Sequence, residues 1–126
     1  MRPMSFAVLS IVSALGCGGS GEVQIGTGTA GIYTFDIGRE GDPPGAGVAT
    51  RFVLKPTVGG NPAGITGWVG DATGAGSVKA AAVYDPNDGD FDDNVTCPSP
   101  LSADALFYFE VTGTDGTTSV GSIAMK

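Results

Sequence analysis

The feature that most constrains the fold of this chain is an alternation of apolar and polar residues that recurs along most of its length. A period of two places apolar side chains on one face of a β-strand. In the clearest example, Tyr33, Phe35 and Ile37 alternate with Thr34 and Asp36. The alternation predicts strands at 23–25, 33–37, 48–55, 65–69, 78–84, 106–111 and 120–125.

Segments rich in glycine and proline separate these predicted strands. Glycine makes up 22 of the 126 residues. The prolines of 41–45 and 59–62 lack the N–H that a strand ladder needs, and Asp115-Gly116 is typical of a hairpin turn. Short strands separated in this way are typical of a β-sandwich. We therefore expect one all-β domain over 23–126, an antiparallel β-sandwich of about seven strands.

Four residues resemble positions of the immunoglobulin and fibronectin type III sandwiches. Trp68 falls where these folds place a core tryptophan on the third main strand. Leu101, followed by Tyr108 and Val111, resembles the run into their sixth strand, whose tyrosine makes a corner hydrogen bond. The resemblance covers residues 48–125 and implies an immunoglobulin-like sandwich.

The N-terminal segment has the order of an export signal. Arg2 precedes an apolar run over 4–15, which is shorter than the roughly 20 residues of a spanning helix. Gly16 and Cys17 follow, and this order resembles the signal of bacterial lipoproteins. The resemblance implies a signal peptide over 1–16, a lipid on Cys17 and a flexible tether over 17–22.

The same resemblance gives an expected location. Gly18, rather than Asp, follows Cys17, which implies anchoring at the outer membrane of a bacterial cell envelope. Ordinary secretion after 14–16 is the alternative. If Cys17 carries lipid, Cys97 is an unpaired and buried thiol, whereas a disulfide between the two is an option in the secreted form.

The segment 85–94 concentrates negative charge. Like charges this close cost free energy unless water or a cation offsets them, and calcium takes six to eight oxygen ligands. The spacing of Asp88, Asp90 and Asp92 resembles the opening of an EF-hand loop, but Asp93 and Ser99 replace the glycine and the glutamate that the loop requires. A solvated turn and a looser calcium site both stay open, as does a short extra strand over 91–96. The candidate ligands are Asp85, Asn87, Asp88, Asp90, Asp92 and Asp93.

Trp68 is a candidate for ligand binding. It shares a strand face with Thr66 rather than with Ile65 and Val69. An exposed ring there would offer a stacking surface for a sugar, and core packing is the alternative.

Several classes of function are disfavoured by composition. The chain has no histidine, which removes the commonest general base and the usual catalytic zinc ligands. Its net charge of −7 disfavours nucleic acid. The glycines of 26–31 match a nucleotide-binding pattern, but a predicted strand follows where that motif requires a helix.

We therefore expect a non-catalytic, membrane-tethered binding or structural module. Its expected partner is another envelope protein or a glycan, and its only expected cofactor is calcium, if any. A calcium-assisted carbohydrate-binding module is the alternative, and a small hydrolase is a third hypothesis.

Overall fold

A computed structural model describes residues 21–125. The predicted signal peptide over 1–16, Cys17 and residues 18–20 of the tether lie outside the described residues. The described part of the chain contains no α-helix, so it has no helix that could cross a membrane.

The predicted all-β fold is confirmed. The strands are β1 (Val23–Ala30), β2 (Tyr33–Glu40), β3 (Ala49–Val58), β4 (Gly64–Gly70), β5 (Ala80–Ala81), β6 (Val83–Asp85), β7 (Asp90–Thr96), β8 (Leu106–Thr112) and β9 (Thr118–Ile123).

Two antiparallel sheets form the predicted sandwich. One has the order β1-β2-β3-β7-β6 and the other β5-β4-β8-β9. Without β1, the first order corresponds to A-B-E-D of the immunoglobulin fold, and β4-β8-β9 corresponds to C-F-G. The core tryptophan and the disulfide that are typical of the immunoglobulin fold have no counterpart among the described residues. Trp68 lies on β4 but outside the space between the sheets, and Cys97 makes no disulfide within residues 21–125.

The described residues contain nine strands, where the sequence predicts about seven. Residues 90–96 form β7, which pairs with both β3 and β6, so the short extra strand that the sequence left open over 91–96 is present. The strand expected over 78–84 is divided, since β5 belongs to one sheet and β6 to the other. The change occurs at Ala82, whose N–H donates to the carbonyl of Ile65 at 2.8 Å. Small alanine side chains give no alternation that would indicate where a strand changes sheet.

Phenylalanine rings fill the space between the two sheets. Phe52 of β3 stacks on Phe107 of β8, with ring centroids 3.9 Å apart and an interplanar angle of 7°. Phe35 meets Phe109 edge to face at 5.9 Å. All four rings are fully buried, and burial of one such side chain stabilises a fold by about 1.5–3 kcal/mol.

Glycines let the two sheets approach closely where β1 lies beside β9. A Cβ at Gly28 would lie 2.7 Å from Cζ of Phe109 and 2.9 Å from Cδ1 of Ile37. On β9, a Cβ at Gly121 would overlap the carbonyl oxygen of Thr29. Both glycines therefore keep open the space that the Phe109 ring occupies.

Replacing Gly28 by alanine should destabilise the fold by about 1–3 kcal/mol, because the added methyl overpacks the core against Phe109. Gly64→Ala is the matched control, since a Cβ at this strand glycine meets no atom within 4 Å. Urea unfolding of both variants measures the difference. Equal stability of the two variants would show that the sheets can separate at this edge without lowering the free energy of unfolding.

Candidate functional site

The hairpin that joins β6 to β7 brings acidic residues together. Asp85 ends β6 and pairs with Asp90 at the start of β7. Between them the N–H of Gly89 donates to the carbonyl of Asp85 at 2.8 Å, and Gly89 has a φ of 72°, which glycine adopts without strain. The N–H of Asn87 donates to Oδ1 of Asp85 at 2.9 Å. The turn is thus fixed by one backbone hydrogen bond and by the side chain of Asp85.

Three carboxylates converge on this hairpin. Asp85, Asp88 and Asp90 each place one oxygen within 4.8 Å of the other two. Oxygens that bind one calcium ion at 2.3–2.6 Å can lie at most about 5 Å apart, so the three oxygens are close enough to share an ion. Oδ1 of Asp90 is buried and has no hydrogen-bond partner among the described residues. The cluster therefore contains an acceptor that no group of residues 21–125 satisfies.

The charge around Asp90 is incompletely neutralised. Burial, together with the negative charges of Asp92, Asp88, Asp85 and Glu22, raises the pKa of Asp90 to about 6. Lys55 and Asp90 line one depression in the sheet surface. Lys55 nevertheless forms no ion pair within 4.0 Å among the described residues. A bound cation would offset the repulsion among these carboxylates.

The other predicted calcium ligands on β7 do not join this cluster. Because 90–96 is a strand, successive side chains point to opposite faces of the sheet. Asp92 lies on the same outer face as Asp90, between Val53 and Val83, but its carboxylate is not among the three that lie within 4.8 Å of one another. Burial raises its pKa, and the positive charge of Arg51 opposes this rise. Asp93 points inward, so the structure separates it from Asp85, Asp88 and Asp90.

Asp93 is a carboxyl group in the centre of the sandwich. It is fully buried, and neither oxygen has a well-formed hydrogen bond among the described residues. Gly67 of β4 makes room for it, since a Cβ there would overlap Oδ2. Burial raises the pKa of Asp93 to about 7, and the backbone of Gly67 opposes this rise only partly. The neutral form is therefore the one that suits this position.

Asp93 should make the fold less stable as the pH rises. Because the pKa of Asp93 is raised in the folded state, its contribution to the free energy of unfolding is fully present below the unfolded-state pKa of 3.8. This contribution is lost as the pH rises to about 7. Asp93→Asn should therefore match the wild type near pH 4 and exceed its unfolding free energy near pH 8 by roughly 4 kcal/mol. Urea unfolding at both pH values, with exposed Asp42→Asn as control, measures this. If the two proteins differ in unfolding free energy by the same amount at both pH values, Asp93 does not have the raised pKa.

Trp68 lies on the outward face of β4, as its alternation indicates, but it is only 2% exposed. The segment 71–79 covers it: Nε1 donates to the carbonyl of Asp71 at 2.8 Å, and Nζ of Lys79 lies 4.6 Å from the ring centroid. Tyr108 stacks on it with centroids 5.7 Å apart. The indole consequently has no open face for a sugar, which corrects the hypothesis that Trp68 contacts a ligand.

A cleft beside Tyr108 escaped the sequence analysis. It has a volume of about 640 Å³ and lies where β4 ends and β8 begins. Its walls come from 70–77 and 98–105, with Tyr108 on the sheet side. Only the register that pairs Trp68 with Tyr108 shows that these segments meet, so no local pattern in the sequence could have revealed the cleft.

Cys97 is buried, at 2% exposure, as the sequence predicts. Burial raises the pKa of its thiol, and the backbone of Gly45 opposes this rise. A thiol of this kind is a poor nucleophile.

Comparison of the chain with protein-family models, with curated proteins and with solved structures gives no match. The function must therefore be inferred from the geometry described above.

Proposed function

We propose that this protein is a non-catalytic binding module, held at a bacterial envelope by lipid on Cys17, whose acidic hairpin over 85–90 binds calcium. The observation that carries the calcium site is the convergence of Asp85, Asp88 and Asp90, each with one oxygen within 4.8 Å of the other two; Asp90 also has a buried oxygen without a hydrogen-bond partner among the described residues. Carboxylate and carbonyl oxygens are the ligands that calcium takes. Asn87, in the same turn, can add a carbonyl oxygen to the set.

The arrangement of the acidic residues supports a binding role over a catalytic one. Glycoside hydrolysis needs two carboxyl groups on either side of one bond. Asp90 and Asp93 have the most strongly raised pKa values of the described acids, but they lie on opposite faces of β7 and cannot face the same substrate. We therefore assign no reaction to them.

The calcium-assisted form of carbohydrate binding has less support. The hairpin precedes β7, whereas the residues of the Tyr108 cleft follow it. A strand of this length is about 20 Å long, so an ion at the hairpin would not reach a sugar in the cleft.

Calcium at millimolar concentration should raise the melting temperature of the domain by roughly 5 °C, since a ligand that binds only the folded state stabilises it. Asp88→Asn should abolish this rise. Asp88 is exposed, so its substitution should not disturb the core. Asp42→Asn, also exposed, is the control that keeps the rise, and magnesium tests selectivity. No shift in the wild type, or an equal shift in Asp88→Asn, would remove calcium from the proposal.

The lipid anchor has a separate test. Mass spectrometry of the N-terminal peptide, taken from the membrane fraction of an expressing bacterium, should show a chain that begins at Cys17 and carries acyl groups. Cys17→Ala should prevent both cleavage and lipidation. A mature chain with an unmodified Cys17 in the soluble fraction would support secretion instead.

A further inference from the structure

The Tyr108 cleft has a wall that is fixed before any ligand arrives. Tyr108 is half-buried and lies nearly parallel to Trp68, at an interplanar angle of 11°. Trp68 is itself held by its hydrogen bond to Asp71 and by Lys79 on its ring. An aromatic surface held in place from behind loses little conformational freedom when a ligand stacks on it.

Polar groups surround this aromatic wall. Asp71, Asp104, Ser99 and Ser102 all line the cleft. Oδ1 of Asp71 accepts the N–H of Thr73 at 3.0 Å and its hydroxyl at 2.6 Å. These hydrogen bonds orient the carboxylate, and the bond from the Thr73 side chain is the main cause that lowers the pKa of Asp71. Asp71 thus stays ionised at neutral pH.

The chemistry of the lining restricts the ligand. No lysine or arginine of residues 21–125 lines the cleft, so an anionic ligand would meet two carboxylates with no counter-charge. Carboxylates accept hydrogen bonds from hydroxyl donors, and serine hydroxyls both donate and accept. A flat apolar ring beside such groups matches a sugar, which has an apolar face and a rim of hydroxyls.

We propose that the Tyr108 cleft binds a neutral saccharide, with one sugar ring stacked on Tyr108 and its hydroxyls hydrogen-bonded to Asp104 and the neighbouring serines. A cationic side chain is the competing ligand for this cleft. Such a cation needs only hydrogen-bond acceptors, so the O–H donors of the serines would have no partner in that complex. The inference rests on the proposed role as a binding module, and it is independent of calcium because the cleft and the hairpin lie beyond opposite ends of β7.

Saturation-transfer NMR with neutral oligosaccharides of glucose, mannose, galactose and N-acetylglucosamine tests the proposal. At least one should bind the wild-type domain at millimolar concentration. Tyr108→Ala should weaken binding by about tenfold or more, because the stacking surface is lost, while Tyr108→Phe should retain most of it. Tyr84→Ala, which removes an aromatic residue that is 41% exposed and does not line the cleft, is the matched control.

Asp104→Asn keeps the test decisive if Tyr108→Ala fails to fold. Asp104 is exposed, so the variant should keep its melting temperature and still lose affinity severalfold. Binding should be the same with calcium and with chelator, which separates failure of the cleft from failure of the hairpin. The proposal is overturned if no oligosaccharide binds, if binding survives both substitutions, or if a lysine oligopeptide binds in a Tyr108-dependent manner and the sugars do not.

Discussion

The packing of phenylalanine rings between two sheets is the interaction on which the rest of this molecule depends. Phe52 and Phe107 occupy the centre, and Phe109 extends toward the edge where β1 lies beside β9. The rings fit because Gly28 and Gly121 present no side chain there. The acidic hairpin and the Tyr108 cleft are both built from elements that this core holds in place.

The two faces of β7 place acidic side chains in two different environments. Its inward side chains include Phe91 and Asp93, and its outward ones include Asp90 and Asp92. Burial disfavours ionisation on both faces, but the consequences differ. On the outer face a cation can neutralise the cluster, whereas the interior offers Asp93 only the backbone of Gly67, so that protonation is its main route to neutrality.

The strands with strict alternation were predictable from sequence. Tyr33, Phe35 and Ile37 are buried and Asp36 is exposed, as the period of two requires. For β7 the sequence left a solvated turn and a short strand over 91–96 both open, because its acidic residues resemble a solvated loop, and pairing with β3 and β6 overrides that preference. The alternation of Trp68 indicated the correct face but not its burial, since the covering segment over 71–79 has no period of its own. The convergence of Asp85 and Asp90 depends on a hairpin that becomes visible only once β7 is a strand.

The change of sheet at Ala82 has a consequence for how copies of this protein behave side by side. β5 and β6 are the terminal strands of the two sheets at that border, and each ends after two or three residues. They present few free backbone N–H and C=O groups to a neighbouring chain. Short borders of this kind resist strand addition and aggregation, so that contacts at this border are left to side chains and turns, whereas the longer edge strands β1 and β9 lie at the other border.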